Sequence, residues 1–229
     1  MKRFILLALI AILISCQEQN NKHESKYQSK VSYFYPISDT TRIYCYRNIT
    51  NGLSEEFHRV FTVSDSMKHL IVERYSSDKR FLEAYNYSIE TKDVLEHIVV
   101  NKNLENEIAV INSNHLFPVN QNRTYIFSSD FGGTKDSTIF RKEITRTFNN
   151  TKQLDYLGFK NLKTFIFNDS ITQHYIDFYN KNSKMAQVKG SILFAEGIGP
   201  VEWYDTQKKI HFKLEKIISQ KEWIRLMQF

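Results

Sequence analysis

Cysteine is nearly absent from this chain, and two in 229 residues cannot build a disulfide framework. Three prolines and seven glycines exclude a collagen-like repeat and any Pro- or Gly-rich linker between modules. The longest apolar run, Phe4–Ile14, has 11 residues, well short of the about 20 a helix needs to cross a bilayer. Basic residues outnumber acidic ones, 31 to 25, but no run of five or more is basic, so the clustered stripe that marks nucleic-acid binding is missing. Absent too are GxSxG, a P-loop, HExxH, HxH and CxxC. No catalytic residue, metal-ligand set or cofactor is assigned on that basis.

What is present begins at the N-terminus. Lys2 and Arg3 precede the Phe4–Ile14 run, the proportions of a secretory signal peptide over residues 1–15. Leu13-Ile14-Ser15-Cys16 then resembles the lipobox of bacterial lipoproteins, although Ile14 is larger than the residue usual there. The resemblance implies diacylglycerol on the Cys16 sulfur, cleavage between Ser15 and Cys16, and an acyl chain, palmitate or similar, on the freed amine. The physics agrees, since each buried CH₂ contributes about 0.8 kcal/mol and stable anchoring takes more than one chain. Gln17 stands where an aspartate favours inner-membrane retention in Gram-negative lipoproteins, which points to the outer membrane.

After residues 1–15 are removed, 229 − 15 = 214 residues remain with a balance of 29 − 25 = +4. Gln17–Lys30 contains one aromatic and no aliphatic residue, so residues 16–30 read as the lipidated cysteine and a disordered polar tether. A single β-rich domain is expected over 31–229. Two half-sheets, 31–113 and 114–229, are the alternative, disfavoured by the lack of a linker. Cys45 is the one remaining thiol, in "RIYCYR", where Ile43 and Cys45 share a face opposite Arg42, Tyr44 and Tyr46. It reads as a buried small hydrophobe, with a nucleophile or an intermolecular disulfide as alternatives.

The periodicity from Val31 onward is two rather than 3.6. "EEFHRVFTV", "KHLIVERY", "RTYIFSS", "NLKTFIFND", "QHYIDFYN" and "KIHFKLEKI" are Phe-, Tyr-, Ile- and Val-rich runs separated by turn residues. The expected fold is all-β, a mostly antiparallel sheet forming a curled half-barrel or sandwich. A short C-terminal helix is expected in "SQKEWIRLMQF", where Ser219 and Glu222 form a capping box. "SKMAQVKG" is expected to make a helical turn before Gly190.

In "FAEGIGPVEWYD", Gly197, Gly199 and Pro200 predict a turn between Ile192–Ala195 and Val201–Tyr204 rather than a phosphate cradle. Together with Phe117-Pro118-Val119 and Gly158-Phe159-Lys160-Asn161-Leu162-Lys163, this stretch resembles a family of poorly characterised exported β-rich lipoprotein domains. The resemblance runs from Phe117 to Val201 and implies a sheet curled around an apolar face, with no catalytic residues to carry over. "DFGG", Asp130–Gly133, lacks the company of kinase motifs and reads as a loop between strands.

Side chains with chemistry are few. His174, with Asp169 nearby in sequence, is the weak candidate for a hydrolase. Glu55 and Glu56 are adjacent on a strand and face opposite ways, unsuited to acid–base cooperation. Tyr33, Tyr35, Tyr44 and Tyr46 are expected on matching strand faces, either as cross-strand packing or lining an amphipathic ligand site. The expected function is that of a lipid-anchored envelope lipoprotein, a non-catalytic β-domain binding an apolar ligand or a protein partner. A structural subunit pairing through an exposed sheet edge and an envelope hydrolase are the alternatives.

Overall fold

A computed structural model describes residues 34–64, 68–101, 103–120, 122–133 and 137–228. The expected signal segment over residues 1–15, Cys16, the expected tether and Tyr33 lie outside the described residues. The strands in chain order are β1 (Arg42–Asn48), β2 (Glu55–Ser64), β3 (Lys68–Ser76), β4 (Phe81–Ser88), β5 (Val94–Val100), β6 (Asn106–Ile108) and β7 (Val110–Asn114). They continue as β8 (Tyr125–Gly132), β9 (Thr138–Tyr156), β10 (Phe159–Asp177), β11 (Asn182–Ala195), β12 (Gly199–Asp205) and β13 (Ile210–Ser219), followed by helix α1 (Gln220–Met227). Every period-two run named above lies wholly or mostly on one of these strands, because alternating apolar residues bury one face of an antiparallel sheet.

All thirteen strands form one sheet in the order β6-β5-β4-β3-β2-β1-β13-β12-β11-β10-β9-β8-β7. Strands consecutive in the chain pair antiparallel except β6 and β7, and the first and last strands pair in mid-sheet, Arg42 opposite Ser219. The two edge strands, β6 and β7, are separated only by Ala109. Ile98 opposite Ile108 ties the first of them to β5, and Asn114 opposite Phe127 ties the second to β8. The Ala109 N–H donates to the His97 carbonyl at 2.8 Å. Residues 106–114 therefore bridge the two margins of the sheet, and it curls into a nearly closed barrel.

The pairing registers sort the connections to the two ends of the barrel. Phe34–Tyr35, the 89–93 turn, residues 115–124 and the 196–198 turn lie at one end, here the floor. The turns at 49–54, 77–80, 178–181 and 206–209 lie at the other, the mouth. Aromatic rings seal the floor. Phe34 meets Phe117 edge-on at 4.2 Å and Tyr87 at 5.5 Å, and Phe117 meets Phe194 at 5.1 Å. Gly197 and Gly199 make the predicted hairpin turn with φ of 72° and 101°. A Cβ at Gly199 would stand 3.2 Å from the Tyr35 ring, so its lack of a side chain also lets Tyr35 close over the floor.

Three local expectations are corrected. "SKMAQVKG" is no helical turn but part of β11, because the hairpin with β10 runs unbroken from Thr164–Ala195 to Asp177–Asn182. The DFG residues Asp130–Gly132 are not a loop but the end of β8, where the Arg141 guanidinium holds the Asp130 carboxylate through two bonds of 2.7 Å. "SYFYP" makes no strand over its described residues. Tyr35 precedes Pro36, which lacks a ladder donor, and crosses the barrel end instead of pairing.

Outside the barrel, α1 packs its single buried side chain, Trp223, on Phe57 and Tyr75 with ring separations of 5.2 and 5.4 Å. Ile43 and Cys45 complete that cluster, so β1 is buried on both faces. The capping box forms as expected: the Ser219 hydroxyl accepts from the Glu222 N–H, and the Glu222 carboxylate accepts from the Ser219 N–H at 2.8 Å. Burial pushes the Cys45 thiol up to about 12, which places it with inert core thiols.

Candidate functional site in the barrel lumen

The inward face of the strands is not uniformly apolar. Alternation sends Glu56 and His58 of β2, Arg74 of β3, Glu83 and Tyr85 of β4, His97 of β5, Lys142 and Arg146 of β9 and Asp169 of β10 into the interior. Glu83 is the hub. Its carboxylate accepts from Lys142 Nζ at 2.6 Å, the Tyr85 hydroxyl at 2.9 Å, His97 Nε2 at 3.0 Å and the Arg74 guanidinium. Arg74 also donates through Nε to Glu56 at 2.7 Å. Below them Arg146 grips Asp169 with two bonds of 2.8 and 2.7 Å and donates to the Leu116 carbonyl at 2.9 Å.

Each histidine sits between a carboxylate and a hydroxyl. His58 Nε2 lies 2.8 Å from Glu56 and its Nδ1 3.0 Å from the Tyr35 hydroxyl. His97 Nε2 lies 3.0 Å from Glu83 and its Nδ1 2.8 Å from the Ser129 hydroxyl. A carboxylate only accepts, so Nε2 carries the proton in both rings and Nδ1 accepts from the hydroxyl. Burial pulls both imidazoles below their ordinary value, against the opposite pull of Glu56 and Glu83. Both are therefore neutral near pH 7.

The chain Ser129–His97–Glu83 has the connectivity of a nucleophile, base and orienting acid. Ser129 and His97 are each 0 % exposed, and neither lines the cavities described next. A substrate has no path to that hydroxyl, and the arrangement serves to tie β5 to β8 across the interior. Among the described residues, no group of three or more His, Cys, Asp or Glu is placed to hold a metal ion.

The carboxylates are strongly ionised. Burial would raise the Glu83 carboxyl, but Lys142, Arg74 and the His97 hydrogen bond outweigh it and hold it well below the usual glutamate range. Burial likewise opposes Glu56, and Arg74 with the His58 hydrogen bond brings it down to about 2. Burial dominates at Lys142 and lowers it despite Glu83. An ion cluster withdrawn from water costs more than apolar packing of the same volume, and this one lines open space.

Two cavities occupy the lumen and share Arg74, Lys142, Asp169, Ile171 and Trp203. The inner one, about 170 Å³, extends to the floor past Tyr35, Leu116, Phe117 and Phe194. The outer one, about 470 Å³, runs toward the mouth past Val188, Tyr204, Lys208 and Phe212. At their junction Trp203 is held between the His58 ring at 5.4 Å and the Phe212 ring at 5.1 Å, both stacked.

Of the tyrosines singled out from sequence, Tyr35 lines the inner cavity and bonds His58. Tyr44 and Tyr46 also point inward but are fully buried and line neither cavity. Tyr44 packs edge-on against Tyr35 at 5.1 Å, and Tyr46 supports Trp203 at 4.5 Å and donates to the Pro200 carbonyl at 2.8 Å. His174 and Asp169 are five residues apart on unbroken β10 and so face opposite sides of the sheet. Asp169 is committed to Arg146 inside, and the pair forms no catalytic dyad. The lumen residues Arg74, Glu83, His97, Lys142 and Arg146 carry no motif. Their one local signal is a charge in phase with aromatic positions, as in "FLEAYNY", where Glu83 alternates in step with Tyr85 and Tyr87.

No protein-family model matches the chain, and no curated protein matches it either. Two solved structures are similar at low identity. A candidate lipoprotein from Parabacteroides distasonis ATCC 8503 is 10 % identical with a TM-score of 0.44, over 82 % of this chain and 99 % of its own. A candidate exported protein with YmcC-like fold from Bacteroides fragilis NCTC 9343 is 12 % identical with a TM-score of 0.41, over 82 % of this chain and 100 % of its own.

Proposed function

We propose that this protein is a lipid-anchored envelope lipoprotein, held through Cys16 in the outer membrane of a Gram-negative cell, whose barrel is a non-catalytic binding module. The observation that carries the binding reading is the lumen, a two-chambered cavity with an aromatic floor, a buried ion cluster at its waist and an opening at the far end. The described chain begins at Phe34, on the floor. A small molecule with an apolar part, or a protein segment inserted from the mouth, suits such a lumen. Binding is favoured over hydrolysis because His174 and Asp169 face apart and Ser129 is sealed in. Edge pairing with a partner is disfavoured because residues 106–114 bridge both margins of the sheet.

Two measurements test this. Native mass spectrometry of the protein incubated with envelope extract is expected to retain a small molecule or a protein, and retention of neither overturns the binding role. Cys16→Ser is expected to abolish processing and release the protein from membranes. A variant still cut after Ser15 and still sedimenting with membranes overturns the anchor.

A further inference from the structure

The two chambers differ in charge. The outer one is lined by the carboxylates Glu56, Glu83, Asp169 and Asp205 and the cations Arg74, Lys142 and Lys208. The inner one is lined by Arg74, Lys142 and Arg146 but by one carboxylate, Asp169, which Arg146 already holds in a two-bond pair. Arg74 and Lys142 reach the inner chamber while their counter-ions, Glu56 and Glu83, line only the outer one. His58, the remaining titratable imidazole on the inner wall, is neutral and adds no charge. Seen from inside, the waist offers two cations whose counter-ions Glu56 and Glu83 lie on the outer side, and below it the mutually satisfied Arg146–Asp169 pair sits among rings and aliphatic side chains, among them Phe117, Ile144, Ile192 and Phe194.

From this, and resting on the binding role proposed above, we infer that the inner chamber receives a small monocarboxylate with a compact apolar tail, of the short alkanoic or aryl acid class. The carboxylate sits at the waist between Arg74 and Lys142, and the tail points to the floor. Charge-assisted hydrogen bonds from a guanidinium and an ammonium are the strong kind of contact for a carboxylate. The neutral tail meets a wall with no unpaired charge. The volume bounds the tail. About 170 Å³ equals the share of roughly six water molecules in the liquid, enough for benzoate or hexanoate and too little for a long fatty acid. Burial, with Arg74 beside it, weakens the hold of Lys142 on its proton against the pull of Glu83, and a bound carboxylate adds to the pull of Glu83, so the acid and the cation stabilise one another.

The test uses the intact domain and isothermal titration calorimetry with acetate, butyrate, hexanoate, benzoate and decanoate, alongside hexanol and benzyl alcohol. Affinity is expected to rise from acetate to hexanoate, to fall again at decanoate, and to be at least tenfold weaker for each alcohol than for its acid. Lys142→Met is expected to weaken hexanoate at least tenfold, whereas Lys221→Met, on the exposed face of α1, leaves it unchanged. The chain-length series on the unaltered protein decides the matter even if Lys142→Met does not fold. Equal affinity for acids and alcohols overturns the carboxylate assignment and leaves the binding role standing. No binding of any of these compounds, with an envelope molecule still retained in native mass spectrometry, does the same. If nothing is bound in either experiment, both fall.

Discussion

Replacing Glu56 by glutamine tests whether the lumen ion cluster is ionised and coupled as its geometry implies. The carboxylate accepts from Arg74 and His58 and is 8 % exposed. Its folded value near 2 stands against an ordinary 4.5. At about 1.36 kcal/mol per pH unit, that gap corresponds to roughly 3 kcal/mol of folding stability at neutral pH. Because the folded value is depressed, the contribution is present in full well above pH 4.5 and is lost as pH falls toward 2. Glu56→Gln keeps the shape but removes the charge. The expected loss at pH 7 is about 3 kcal/mol, which lowers the urea midpoint by about 1 M at a slope of about 3 kcal/mol per molar. Urea unfolding of both proteins followed by circular dichroism, at several pH values, gives the comparison. The gap between them should narrow below pH 4.5, with less than half left by pH 3. A gap of the same size at pH 7 and pH 3 would show that the charge of Glu56 does no stabilising in the fold and would refute the reasoning.

Gly190→Ala places a Cβ 2.1 Å from the Tyr204 carbonyl oxygen where β11 meets β12. It should cost at least 1–3 kcal/mol in the same unfolding assay, whereas Gly158→Ala, with open space around it, tests only its positive φ of 84° and should cost about 1 kcal/mol. Cys45, buried and raised to about 12, should resist a thiol reagent at pH 8 in the folded protein and react within minutes in denaturing urea. Rapid labelling of the native state would contradict its place under Trp223.

The strands were legible wherever a run alternated over one buried face. "KIHFKLEKI" became β13 and "KHLIVERY" became β3, and α1 followed from the Ser219–Glu222 box. Signals that depend on distant partners were not legible. "SKMAQVKG" has no alternation of its own, and its outward positions are strand only because β10 extends beside it along its full length. Half-barrel and sandwich could not be separated, since the choice rests on residues 106–114 binding β5 at one end and β8 at the other. The candidate site was hidden for the same reason. Glu83 meets Lys142 from nearly sixty residues away, and a charge in phase with tyrosines looks locally like a half-buried strand. Tyr35 was singled out because Tyr33/Tyr35 and Tyr44/Tyr46 each alternate by two, yet its place comes from Gly199 and His58.

The position of β13 governs the order of events during folding. The first strand of the chain finds β2 within a few residues of turn, but its other edge stays open until nearly the whole polypeptide has been made. Local hairpins can form in sequence, and closure waits for the longest-range pairing, the slow kind of step in β topologies. Through that interval the β1 edge is a bare template for any passing strand. A chain truncated before Ile210 is therefore not a barrel with one stave missing. It is an open sheet with its ion cluster facing solvent and two unsatisfied margins where the finished molecule joins β1 to β13.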